Sequence, residues 1–114
     1  MIRKVVAYKN YFIDFYNDQD EKVQRKIEYV LDMIRFEKRV PNKFFKQLKN
    51  TEDIYEVRVI TTFKSIRLLC FFDGGDLVVL TNCFLKKTQK TPKMEIKKAE
   101  KIKNEYLKDK NGQQ

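Results

Sequence analysis

Two apolar runs, Ile66–Phe72 and Leu77–Leu85, are separated by Asp73-Gly74-Gly75-Asp76. This feature constrains the fold most. Runs of this length, rich in Val, Leu, Phe and Cys, read as strands, and paired glycines tolerate the positive φ of a tight hairpin. A two-residue turn at Gly74-Gly75 sets Asp73 opposite Asp76 and Arg67 opposite Asn82. A third strand, Ile54–Thr61, comes just before, with a turn expected near Thr62-Phe63. If that turn also has two residues, Arg58 lies opposite Arg67.

Strand side chains alternate between faces. Tyr55, Val57, Val59, Ile66, Leu68, Cys70 and Phe72 form one apolar set, joined by Leu77, Val79, Thr81 and Cys83 on the last strand. The opposite set is mixed and carries Glu56, Arg58, Arg67, Asn82 and Lys86. Two arginines opposite each other repel unless an anion or a carboxylate such as Glu56 sits between them. Arg58, Arg67 and Asn82 in one row, with Lys86 and Lys87 leaving the last strand beside them, form a phosphate cradle. Guanidinium forks match phosphate oxygens bidentately. The plain alternative is an ordinary solvated sheet face.

The rest of the chain supplies helices. Val23, Ile27, Val30, Leu31 and Ile34 recur at helical spacing, with Asp18 or Asp20 as cap, and Val40-Pro41 ends the helix after about residue 39. Phe12, Phe15 and Tyr16 mark a short helix before it, and residues 3–9 a first strand. Residues 41–53 read as a connecting loop. Thr91-Pro92 reads as N-cap and first helical residue of a last helix, with Ile96, Ala99, Ile102 and Tyr106 on its packing face. The expected fold is α+β: a small twisted antiparallel sheet packed by helices on one face, in the order β-α-α-β-β-β-α. Residues 1–108 make one domain, and 109–114 a flexible tail.

The chain has 114 residues, net charge +9, no His and two cysteines. Ten lysines and four acidic residues fall between positions 86 and 110, so the positive charge concentrates near the arginine row. This favours a polyanionic partner. Without His, imidazole acid–base chemistry is excluded and the usual zinc sites are disfavoured. Cys70 and Cys83 lie within apolar runs and read as reduced core residues. No run is long enough for a membrane helix, the opening residues are too short for a secretory signal, and a cytoplasmic setting is expected.

Leu48, Tyr55-Glu56-Val57-Arg58, Arg67, Phe84-Leu85-Lys86-Lys87 and Thr91-Pro92 come in an order that resembles the RelE/HigB superfamily of type II toxins. The resemblance is strongest to the phage-derived, HigB-like branch. It implies the RelE/ParE toxin-like fold and metal-independent, cofactor-free cleavage of mRNA on the translating ribosome. Arg58, Arg67, Lys86 and Lys87 are the implied catalytic residues, and Lys49, Asn82, Lys90 and Lys93 the implied RNA contacts. A cognate antitoxin, often a helix-turn-helix protein, is the implied partner. Several relatives place a Tyr or His near the C-terminus. This chain has no His, and its Tyr106 falls on a packing face. A ParE-like gyrase poison, a non-catalytic RNA- or ribosome-binding module and an inert relic are the competing readings.

Overall fold

A computed structural model describes residues 1–112. The elements are β1 (Lys4–Ala7), α1 (Tyr11–Asn17), α2 (Glu21–Phe36), β2 (Phe45–Gln47), β3 (Tyr55–Ile60), β4 (Ser65–Asp73), β5 (Leu77–Leu85) and α3 (Lys93–Gly112). They build an α+β fold around one five-stranded sheet in the order β1-β5-β4-β3-β2.

α2 follows its apolar stripe. Val23, Ile27, Val30, Leu31 and Ile34 are all buried, and the Asp20 carboxylate accepts from the Val23 amide at 2.9 Å as N-cap. With Phe12 of α1, this stripe packs on Val57, Val59, Ile66, Leu68 and Cys70 of the sheet.

Several expectations are corrected. The sheet is mixed, because β1 pairs parallel with β5. Parallel neighbours need a long connection, and everything from α1 to β4 lies between these two strands. The segment expected to be a connecting loop, with at most one helical turn, contains β2, which pairs antiparallel with β3 and sets Lys46 opposite Glu56. Helices cover both faces. α3 seals a second apolar cluster of Ile54, Leu69, Phe71, Val79 and Ala99. This explains why β4 and β5 read as nearly continuous apolar runs rather than strict alternations.

The β4–β5 register also differs. Asp73 pairs with Leu77, so the turn holds three residues, with Gly74 at φ +82°. Val78 and Leu80 therefore face α1 and α2, and Val79 faces α3, the reverse of the expected assignment. A bulge between Leu68 and Cys70 then adds a second shift, setting Leu68 opposite Cys83 and Arg67 opposite Phe84. Asn82 is thus not in the arginine row. Cys70 pairs with Leu80, and both cysteines are free.

α3 runs four residues past the expected boundary at 108. Lys110 Nζ donates to Asp73 at 2.8 Å, and Tyr8 is hydrogen-bonded to Asp109. Residues 113–114 of the expected tail lie outside the described residues.

Candidate active site

Arg58 and Arg67 lie directly opposite each other on β3 and β4, as a two-residue turn at Thr62-Phe63 requires. Their charges are bridged by Glu56, which is completely buried. Glu56 Oε1 accepts from Arg58 Nε at 2.9 Å and lies 3.4 Å from Arg67 Nε. Its other oxygen, Oε2, accepts from the Thr91 hydroxyl. Thr91 therefore does not cap α3 with its side chain. The Pro92 carbonyl accepts from the Glu95 and Ile96 amides and opens the helix instead.

Arg67 is held under tension between burial and charge. Its side chain is 7% exposed, Nη1 donates to the Ile66 carbonyl at 3.1 Å, and Nε has no hydrogen-bond partner among the described residues. A buried donor whose hydrogen bond is unmade is costly, even with the Glu56 carboxylate nearby. Burial pulls the Arg67 pKa below its usual value, the Glu56 carboxylate opposes this, and Arg58 adds to it. An anion entering the hollow beside Arg67 would meet the positive charge of the guanidinium rather than the enclosed Nε.

Lys86 extends the cluster. Its amide donates to the Ser65 carbonyl at 2.7 Å, which continues the β4–β5 ladder. A hollow is lined by Ser65, Arg67, Lys86, Lys87, Thr88 and Gln89. Burial lowers the Lys86 pKa, and Arg67 lowers it further. Glu56 opposes the shift, while Arg58 and Lys46 reinforce it. Lys46 is a member of the cluster that sequence reasoning missed. Phe45-Lys46-Gln47 shows no apolar–polar alternation, so nothing along the chain marked this short strand.

The other candidates divide. Lys49, Lys90 and Lys93 line one groove beside the cluster. Asn82 is buried, and its amide donates to the Glu95 carbonyl at 3.1 Å and to Glu95 Oε1 at 2.9 Å. It therefore fastens the start of α3 to β5. Tyr106 donates to Asp73 at 2.6 Å and packs edge-on against Phe71 and Tyr8, away from the arginines. Among the described residues no cluster of His, Cys, Asp and Glu has the makeup of a metal site, and no helix is long and apolar enough to cross a membrane.

Chemically, Arg58, Arg67, Lys86 and Lys46 surround one carboxylate. Such a site favours an anion, and favours it more as negative charge develops on it.

The comparisons agree with this architecture. The archaeal RelE–RelB complex from Pyrococcus horikoshii OT3 contains a chain that matches with a TM-score of 0.58 at 17% identity, covering 75% of this chain and 96% of that one. The likeness establishes a RelE-like fold. No curated protein matches. Residues 14–104 match the family model described as "Phage derived protein Gp49-like (DUF891)". That span takes in α2, the whole of β2 to β5 and most of α3, so the chain is a member of the phage-derived Gp49-like family.

Proposed function

We propose that this protein is the toxin of a type II toxin–antitoxin system, of the HigB-like branch, and that it cleaves mRNA on the translating ribosome in the cytoplasm. The observation that carries this reading is the buried, incompletely bonded guanidinium of Arg67, opposite Arg58 and beside Lys86. Family membership and the RelE-like fold support it. The solved relative is a RelE chain in complex with RelB, which supports a partner protein, here a cognate antitoxin.

In the proposed reaction, the RNA 2′-oxygen attacks the adjacent phosphorus and the 5′-oxygen leaves. The products are a 2′,3′-cyclic phosphate and a 5′-hydroxyl. One proton must leave the 2′-oxygen and one must reach the 5′-oxygen. Arg58 and Arg67 stabilise the doubly charged phosphorane, with Lys87 at the rim. Lys86, its pKa lowered by burial and by Arg67, is the residue placed to take the first proton. The ribosome supplies the remaining alignment of the strand.

Primer extension on a reporter mRNA during translation tests this. Wild-type protein should produce new 5′ ends within the translated region, and Arg67→Ala should remove most of them. Growth arrest without new ends would sink the nuclease reading and favour gyrase poisoning, tested next by gyrase-dependent DNA cleavage. Salt-sensitive RNA binding without cleavage would favour the non-catalytic module.

A further inference from the structure

Arg58 and Arg67 face one oxygen of Glu56, yet they open onto different hollows. The hollow beside Arg67 is lined by residues of β4 and of the segment leaving β5, and Arg58 is not among them. Arg58 lines a separate hollow of about 270 Å³ with Lys26, Lys43, Phe44 and Ile60. The reaction proposed above gives this second hollow no role.

Backbone pairing creates it. The Phe44 and Phe45 amides donate to the Pro41 carbonyl at 2.9 and 3.2 Å, so the chain turns away from β3 just ahead of β2. The last bond along this edge runs from the Arg58 amide to the Phe44 carbonyl, at 2.8 Å. Strand amides alternate sides, and the Thr61 amide bonds inward to the Lys64 carbonyl at 2.9 Å. The Ile60 amide therefore points outward, beyond the end of β2, where no strand pairs with it. α2 supplies Lys26 above this open edge, and the Pro41 turn supplies Lys43.

The lining holds three cations and no carboxylate. Neither Lys26 nor Lys43 forms an ion pair among the described residues. Arg58 engages Glu56 through Nε alone, which leaves both of its Nη atoms for a ligand. Three positive groups and an unpaired amide suit a tetrahedral dianion, which accepts several hydrogen bonds at once. The volume lies just under the roughly 300–1,000 Å³ usual for small-ligand sites, which suits a phosphate that carries little else.

We propose that this hollow is a regulatory site for a small phosphate, inorganic or a monoester, whose binding draws Arg58 away from Glu56 and hands that carboxylate to Arg67. Glu56 Oε1 lies 2.9 Å from Arg58 Nε and 3.4 Å from Arg67 Nε, which is buried and has no hydrogen-bond partner. When phosphate takes the Arg58 guanidinium, Oε1 turns to Arg67 Nε. One hydrogen bond is lost and one gained, so the two arrangements lie close in free energy and an anion selects between them. The occupied form has Arg58 outside the row and Arg67 held by Glu56, and it should cleave slowly. Only this effect on cleavage rests on the nuclease reading.

Calorimetric titration of the full chain with inorganic phosphate, and separately with O-phosphoserine, tests the site. The tighter of the two identifies the source of the phosphate. Lys26→Ala combined with Lys43→Ala should weaken binding by roughly tenfold or more, the effect of losing one charge-assisted hydrogen bond. Lys22→Ala combined with Lys38→Ala removes the same charge from exposed positions elsewhere and should leave the affinity nearly unchanged. No saturable binding, or equal losses in the two double variants, overturns the site. Nitrogen-15 spectra of the arginine Nε–H groups follow the handover in the wild-type protein. The Arg67 signal should move downfield as its hydrogen bond forms, with the midpoint found by calorimetry. An Arg67 signal that stays in place while phosphate binds overturns the handover. Cleavage mapping keeps this proposal apart from the nuclease reading. Phosphate should slow cleavage by wild type and spare the variant lacking Lys26 and Lys43. Equal slowing of both would put the inhibiting phosphate on the RNA path and overturn the regulation. Phosphate binding with the handover but without any cleavage removes the nuclease alone.

Discussion

The hydroxyl of Thr91, just ahead of α3, is hydrogen-bonded to Oε2 of Glu56 in the buried middle of the sheet. The other oxygen of the same carboxylate holds Arg58 and faces Arg67. The start of α3 thereby sets the orientation of the carboxylate on which both arginines depend.

Thr91→Val removes that hydroxyl at nearly constant volume. It should lower stability by about 1 kcal/mol and reduce mRNA cleavage, because Glu56 is no longer held between the guanidinium groups. Thr91→Ser should restore both. Urea unfolding and cleavage mapping on the three proteins check this, and normal cleavage by the valine variant would remove Thr91 from any positioning role.

Glu56→Gln leaves Arg58 and Arg67 opposed without a countercharge. The loss should be about 3 kcal/mol, the lower end for breaking a buried ion pair, since Arg58 is 27% exposed. Inorganic phosphate should raise the thermal midpoint of this variant more than that of wild type, because an anion then replaces the missing charge. Equal shifts in the two proteins would show that phosphate does not reach the arginines.

Lys86 has a pKa below 10.5 in the folded protein, chiefly from burial and then from Arg67. A lysine shifted downward binds its proton more weakly when folded, so its charge destabilises the fold below the folded pKa. That penalty fades as pH rises through the folded pKa toward 10.5. Lys86→Met should therefore gain stability over wild type at neutral pH, and the gain should shrink in alkali. Cleavage by wild type should rise with pH over the same window as Lys86 loses its proton. Denaturation midpoints and single-turnover rates across pH measure both, and a pH-independent stability difference would count against the shift.

Asp73 carries the opposite sign. Hydrogen bonds from Lys110 and then Tyr106 hold its pKa below 3.8. Its contribution is present above 3.8 and lost as pH falls through the lower folded value. Asp73→Asn should flatten the acid limb of the stability profile. Ending the chain at Lys108 deletes Lys110 and the Asp109 contact to Tyr8, and should flatten the same limb. An acid limb unaltered by that truncation would mean that the last turn of α3 does not hold Asp73.

How much was legible beforehand depended on how local the signal was. The stripe of α2 follows from spacing within a single helix and stands as read, and of the two caps left open, Asp18 and Asp20, it is Asp20 that caps. The opposition of Arg58 and Arg67 needed only the short turn between their strands. The Arg67–Asn82 pairing failed because it needed two more facts. One is the third turn residue after Asp73, and the other is the bulge beyond Leu68. Each adds one residue of offset. Together they restore the face of Cys83 while moving Phe84, rather than Asn82, into the row.

The chain alone was enough for the helices, for β1 and β3 to β5, for the concentration of positive charge and for the face of both arginines, but not for β2. These depend on side-chain periodicity and on contacts a few residues apart. Only the tertiary structure decided that a second helix seals the other face, that Glu56 is wholly buried and that Thr91 reaches it. Thr91 and Glu56 are distant in sequence, and which groups meet there is set by how closely α3 can approach the sheet over Ala99 and Leu69. Close packing fixes that approach, and no pattern along a single element encodes it.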